Sequence, residues 1–226
     1  MEPHNRFTFL RKDEPEKKSF KWTLTEDRIL PLEEVNRLRH MGRKMMEAGI
    51  RHRKFFQVRD WFMIELGLFT GLRVSEMCDL ELRDLLIDEG YSSVVVRNGK
   101  GGKKRNVWIS LKFRNICRDF LKLRKHLGLP NEGNNPLLSS CSGERLSKRA
   151  LQKAFKRCLH NAGIKFNYGI HSLRHTYATF LLKSGHNLKL VQKQLGHSSI
   201  KVTEIYISLL KDDTEKALDG LYRNKT

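Results

Sequence analysis

The 226-residue sequence predicts a mainly α fold carrying one small three-stranded antiparallel β-sheet. Two observations predict it. Apolar residues recur at helical spacing through most of the chain, and these runs open and close on residues that cap helices. The exceptions are three short β-rich runs, 85–87, 93–96 and 106–109, joined by Gly-containing turns, so they pair as sequence neighbours. A hydrophobic share of 39% is enough to build a core around these elements.

Taken in order, residues 1–24 mix Lys, Arg, Glu and Pro with isolated aromatics and read as an extended basic arm. A helix opens near Pro31, with Leu32, Val35 and Leu38 at helical spacing. Residues 55–69 form a strongly apolar buried helix stopped at Thr70-Gly71, and Val74 starts another that ends before Leu85. After the sheet, 111–127 returns to helix. Residues 128–143, rich in Asn, Gly, Ser and Pro, form a long loop of the kind found inside compact domains when it has a function. Ser147 caps a helix reaching Asn161. Helices over 171–184 and 187–195 close on Gly185 and Gly196, and Leu173, Tyr177, Phe180 and Leu181 mark the core face of the first. Further helices follow from Ile200 and from about residue 212.

Composition excludes several classes. The apolar stretch 61–69 is interrupted by Glu65 and falls far short of the roughly 20 residues that a membrane span needs. The start, Met-Glu-Pro-His-Asn-Arg, has no apolar core of a secretory signal. Cys78, Cys117, Cys141 and Cys158 lie far apart without a CxxC pair, which argues against a zinc site or disulfide framework and for a reduced, cytoplasmic compartment.

Charge is the strongest functional signal. The chain carries a formal net charge of +19, and its distribution is uneven. Residues 61–96 are net −5, residues 97–125 net +10, and residues 145–203 hold 12 Lys or Arg with no Asp or Glu. Soluble surfaces usually intersperse both signs, so a run of this length points to a polyanion, nucleic acid before an acidic protein or membrane surface.

Candidate chemistry clusters in three places. His171 and Arg174 lie one turn apart at a helix start, where free N–H groups favour a phosphate, with Arg as the fork and His as donor or proton acceptor. His171 and His175 also have the i, i+4 spacing of a metal pair. That pair lacks the Glu of HExxH, has Arg174 between its members, and sits in the acid-free run, so metal is disfavoured. The segment 97–106 between two strands carries Lys100, Lys103, Lys104 and Arg105 at a hairpin tip. It does not fit GxxxxGK[ST], and the last three read as electrostatic contacts to DNA. Arg73, in Thr70-Gly-Leu-Arg-Val-Ser-Glu76, follows a turn at the start of a helix.

Together, Thr70-Gly-Leu-Arg-Val-Ser-Glu76, the Gly-Lys-Gly hairpin, His171-Ser-Leu-Arg-His175, Leu195-Gly-His-Ser198 and Tyr206 resemble the tyrosine recombinases, or phage integrase family. Arg174 and His197 are 23 residues apart and His197 and Tyr206 are 9 apart, and the order of motifs is specific. The resemblance covers about residues 25–210.

The resemblance implies that Arg73 and Arg174 grip the non-bridging oxygens of one scissile phosphate, taking the part a metal plays elsewhere, so no cofactor is expected. Tyr206 matches the nucleophile that forms a 3′-phosphotyrosyl link, His171 the acceptor of its proton, and His197 a hydrogen-bond donor to the phosphate. Lys100 matches the general acid for the leaving 5′-oxygen, with Lys103 as the alternative set by hairpin register. Glu76 and His175 match supports that orient the arginine and histidine side chains. The implied organisation is a basic arm at 1–24, a catalytic domain at 25–210 and a tail at 211–226, possibly exchanged between subunits. The implied assembly is a homotetramer on DNA, with accessory DNA-bending proteins and a nucleoid-associated location. Most of the family carries an N-terminal helical clamp of about a hundred residues, and only some 25 residues precede the catalytic region here. A type IB topoisomerase and a DNA binder that has lost catalysis are the rival readings. Motif wording opposes the first, and the complete set of six residues opposes the second.

Overall fold

A computed structural model describes residues 26–196, except 89, 91, 100, 101, 103, 166, 167 and 186. Seven α-helices and one sheet make up these residues. The helices are α1 (Leu32–Arg51), α2 (Phe55–Thr70), α3 (Val74–Asp79), α4 (Leu111–His126), α5 (Lys148–Asn161), α6 (His171–Lys183) and α7 (Leu188–Leu195). The strands β1 (Leu85–Leu86), β2 (Ser93–Val96) and β3 (Arg105–Trp108) lie in the order β1-β2-β3, antiparallel throughout. The expected fold class is the observed one. No helix among the described residues is long and apolar enough to cross a membrane. The basic arm, the helices expected after residue 200 and the tail lie outside the described residues.

The centre of the core is α2, buried on nearly every side from Phe55 to Thr70 and packed by α1, α4, α5 and α6. Its apolar side chains face α4 through stacked rings: Phe62 lies 3.9 Å from Phe120 and 6.1 Å from Phe113, and Phe69 lies 5.3 Å from Phe113. Three helices start as capping chemistry requires. Ser110 Oγ accepts from the Phe113 N–H, Ser147 Oγ from Ala150 and Asn187 Oδ1 from Leu190. Gly71 ends α2 at φ +60°, a left-handed conformation that suits glycine.

Helix α3 ends before Leu85 as expected, at Asp79, and two departures from the sequence reading, in β3 and α6, have physical causes. The 128–143 loop competes for that stretch of backbone: Leu82 N–H donates to Asn135 O, Arg83 N–H to Gly133 O, and Leu137 N–H to Leu80 O. Strand β3 runs one residue earlier than expected, with Arg105 paired opposite Val96 and Val107 opposite Val94. Because side chains alternate along a strand, Arg105 then shares the inward face with the fully buried Val107, while Asn106 and Trp108 face outward. Helix α6, finally, buries more than an apolar stripe. Ser172, Arg174, His175, Thr176 and Thr179 are all buried, whereas Tyr177, Phe180 and Leu181 are only partly so.

The long loop is pinned by buried guanidinium groups. Arg124, on α4, is 0% exposed. Its Nε and Nη2 donate to Pro130 O, and its Nη1 donates to Leu137 O and Ser139 Oγ. Arg59, on α2, donates to Ser139 O. A loop lining the core would otherwise leave carbonyls unpaired, and here two arginines collect them. Burial lowers the Arg124 pKa to about 10, so it remains charged at neutral pH.

Arg124→Met should therefore destabilise the fold by on the order of 3 kcal/mol, through several orphaned buried acceptors. Arg124→Lys should recover little of this, since an ammonium cannot reproduce the planar fork. Urea unfolding together with amide exchange at Leu137 reads both expectations.

Candidate functional site

The site forms where α6 crosses the end of α2. The crossing is close: a Cβ on Gly67 would lie 2.5 Å from Leu173 Cδ1 and 3.0 Å from its Cβ, so Leu173 fills the space that glycine leaves on α2. One residue beyond Leu173, Arg174 extends toward the ends of two helices. Its Nη1 donates to Gly71 O at 2.7 Å and its Nη2 to Leu195 O at 2.8 Å. Both carbonyls lie at helix C-termini, where the macrodipole is negative, and that compensates for a guanidinium 5% exposed.

Two residues past Gly71, Arg73 caps α3. Its backbone N–H donates to Glu76 Oε2 at 2.8 Å and its Nη1 to Glu76 Oε1 at 3.0 Å, while its side chain keeps 24% exposure. This is the returning half of a capping box, with the N3 glutamate reaching back to the N-cap amide. Glu76 is buried and is claimed from the other side by Arg105, whose Nη1 and Nη2 lie 2.8 and 2.9 Å from Oε1 and Oε2. Burial alone would raise the Glu76 pKa. The Arg105 hydrogen bonds and charge, the Arg73 N–H and the Arg174 charge outweigh it and hold the carboxyl below its usual range.

His171 stands exposed at the start of α6, and its pKa is lowered by desolvation and then by the charges of Arg174 and Arg73. A neutral imidazole beside two guanidinium groups can accept a proton at neutral pH. His175 is buried one turn on, and desolvation, then His171, Arg174 and Arg28, push it down to about 4. Tyr168 and Tyr177 are both raised to about 12, chiefly by burial, so neither is primed as a nucleophile.

The structure thus brings together Arg73, Glu76, His171, Arg174 and His175. Lys104 is exposed at the base of the hairpin. Lys100, Lys103, His197 and Tyr206 lie outside the described residues. Arg105, expected among the hairpin's DNA contacts, is turned inward instead, for the register reason given above. Sequence reasoning missed Gln194. Its side-chain amide accepts from Trp108 N–H at 3.1 Å and donates to Trp108 O at 3.4 Å, and its carbonyl accepts from Arg105 Nε at 3.4 Å. The signal available for Arg105 was parity with Val107; for Gln194, a polar residue in the α7 core face beside Val191 and Leu195.

The chain is similar to known proteins in both sequence and fold. The phage integrase family model matches residues 29–212. Tyrosine recombinase XerC of Thermodesulfovibrio yellowstonii is 35% identical over 166 residues, spanning 72% of this chain and 54% of that protein. Among solved structures, XerA recombinase aligns over 88% of this chain and 66% of its own, at 26% identity and a TM-score of 0.69. A post-cleavage complex of XerH site-specific recombinase with a palindromic difH substrate aligns over 88% of this chain and 54% of its own, at 26% identity and a TM-score of 0.68. The chain spans about half the length of the curated relatives it matches.

His175 makes folding sensitive to acid. Its folded pKa of about 4 lies below the unfolded value of 6.5, so the unfolded chain takes up a proton first as pH falls. The stability this group contributes is complete above pH 6.5 and is lost between there and about 4. His175→Gln should flatten the urea midpoint between pH 7 and 5 relative to the parent.

Proposed function

The chain belongs to the phage integrase family, and on that premise we propose that it is the catalytic part of a tyrosine-type site-specific DNA recombinase, cutting and rejoining strands through a 3′-phosphotyrosyl intermediate. The observation that carries the reading is the convergence of Arg73, Arg174 and His171 at the end of α2, beside a carboxylate already neutralised by Arg105.

In this reading Tyr206 Oη attacks phosphorus, the new P–O bond forms as the bond to the 5′-oxygen breaks, and the phenolic proton passes to His171. Lys100, or Lys103 in the alternative register, returns a proton to the 5′-oxygen. Charge grows on the non-bridging oxygens, and two fixed guanidinium groups stabilise that state more than the starting phosphodiester. A phenol with an ordinary pKa near ~10 needs both the base and the cationic surroundings to ionise. His197 would donate to the same phosphate, with Glu76 and His175 behind the arginine and histidine. Reversal joins another strand without ATP, because the phosphotyrosyl bond keeps the energy of the one broken.

Double-stranded DNA is the proposed partner. The acid-free run at 145–203 supports it, as does a structural relative crystallised on its DNA substrate. Lys103 and Lys104 would contact the backbone. Assembly as a tetramer on DNA, with the 211–226 tail passed to a neighbouring subunit, belongs to the same proposal, as does a cytoplasmic location.

The test is covalent capture. Duplexes selected by binding from a randomised pool are nicked, mixed with protein in EDTA without ATP, and resolved on a denaturing gel. An adduct that disappears with Tyr206→Phe is the expected result; tight binding with no adduct would favour the binder that has lost catalysis. With subsaturating DNA, the acidic limb of the cleavage rate should lie below pH 6.5, because His171 is held below the ordinary imidazole value. His171→Asn should remove that limb and slow cleavage by about a hundredfold or more.

A further inference from the structure

Resting on the recombinase reading, we infer that Arg105 is a positioning residue: it holds Glu76, and through Glu76 it sets the place and the usable charge of Arg73.

Three features of the geometry carry this. The first is the division of Glu76. Oε1 accepts from Arg73 Nη1 and Arg105 Nη1, and Oε2 accepts from the Arg73 N–H and Arg105 Nη2, so each oxygen serves both arginines. A carboxylate with freedom to rotate would not fix the N-cap amide and the guanidinium of Arg73 together. The planar, two-point fork of Arg105 removes that freedom.

The second is the charge balance. Glu76 carries one negative charge in a buried position, and Arg105, only 14% exposed, supplies one positive charge against it. With that pair neutral, the charge of Arg73 is left for an anion. Without Arg105, Arg73 would become the main counter-ion of a buried carboxylate, and a phosphate would have to compete with Glu76 for it.

The third is the reach of Arg105 to α7. Its Nε donates to Gln194 O, and its Nε, Cδ and Cζ lie 2.7–2.8 Å from where a Cβ on Gly196 would stand. Gly196 itself has φ +63°, and Arg174 donates to the neighbouring Leu195 O. One guanidinium therefore joins the strand at the base of the hairpin, the start of α3 and the closing turn of α7.

The experiment separates positioning from a DNA contact. Arg105→Lys and Arg105→Gln are compared with the parent for DNA affinity, its salt dependence, the single-turnover rate of adduct formation at saturating DNA, and thermal midpoint. Positioning predicts an unchanged salt slope and an affinity lowered by no more than a few-fold, through the competition of Glu76 for Arg73, with the saturating rate falling between about tenfold and a hundredfold in both variants, since lysine cannot restore the fork. A salt slope lower by about one phosphate contact with an unchanged saturating rate overturns the inference and returns Arg105 to the DNA backbone. A lowered thermal midpoint with an unchanged saturating rate also overturns it, leaving only a structural role. Amide exchange at Arg73 gives a readout independent of activity. Its N–H should exchange at least about tenfold faster in both variants, because the accepting carboxylate is no longer fixed. If the parent forms no adduct, the recombinase reading fails, and the Arg73 exchange rate alone decides the positioning inference.

Discussion

Arg174 is a charge taken almost entirely out of water, and its compensation is main chain: the last carbonyl groups of α2 and α7. Because these bonds end on two helices from distant parts of the sequence, the guanidinium can be satisfied only when both helix ends meet beside α6. The positions of Arg73, Glu76 and the α7 turn follow from that meeting. A surface arginine makes no such demand, since water satisfies it in any arrangement. The same device recurs at Arg124 and Arg59, which gather the carbonyls of the 128–143 loop. Side-chain forks reaching backbone oxygens thus add polar joints to the apolar contacts between elements distant in the sequence.

The acidic segment of the sequence, with Asp60 just before it, has a corresponding role. Asp60 binds Arg59 and Arg157, Glu65 binds Arg39, Glu76 binds Arg73 and Arg105, and Glu81 gathers Arg83, Arg97 and Arg145. Arginine rather than lysine fills every one of these pairs, as fits partly buried sites where a planar fork retains more of its bond energy than a hydrated ammonium. The carboxylates are consumed inside or at the edge of the core. Among the described residues, basic side chains beyond these pairs, such as the exposed Lys104, are left for the outer surface, where a phosphate backbone would meet them.

Much of this was legible beforehand because it is local. The caps at Ser147, Gly71 and Gly196, the apolar α2 and the valine-rich strand β2 each follow from residues within one or two turns. The arginines were found by their motifs, whereas their convergence through α6 packing on Gly67 is a property of the fold alone. What was not legible is non-local or depends on parity. A one-residue shift of β3 moves Arg105 from the hairpin tip to the inward face. Parity with Val107 gives Arg105 the inward face once it belongs to the strand, but nothing local extends the strand to it, since its partners, Glu76 and Gln194, lie 29 and 89 residues away. The buried polar face of α6 was hidden for the same reason, because periodicity registers only apolar side chains. The loop at 128–143 read as irregular, and it is irregular. Its order comes from arginines that its own composition does not contain.

The pairing of Gln194 with Trp108 has one more consequence. A sheet of three strands has two open edges, and an open edge invites another chain to add a strand. At β3 the amide of Gln194 presents the same donor and acceptor that a neighbouring peptide would, and occupies the N–H and C=O of Trp108. The sheet therefore ends on a side chain that imitates backbone. A foreign strand pairing at Trp108 would displace Gln194, which stands in the closing turn of α7 where Arg105 and Arg174 also donate, so the end of the sheet and the site share one support.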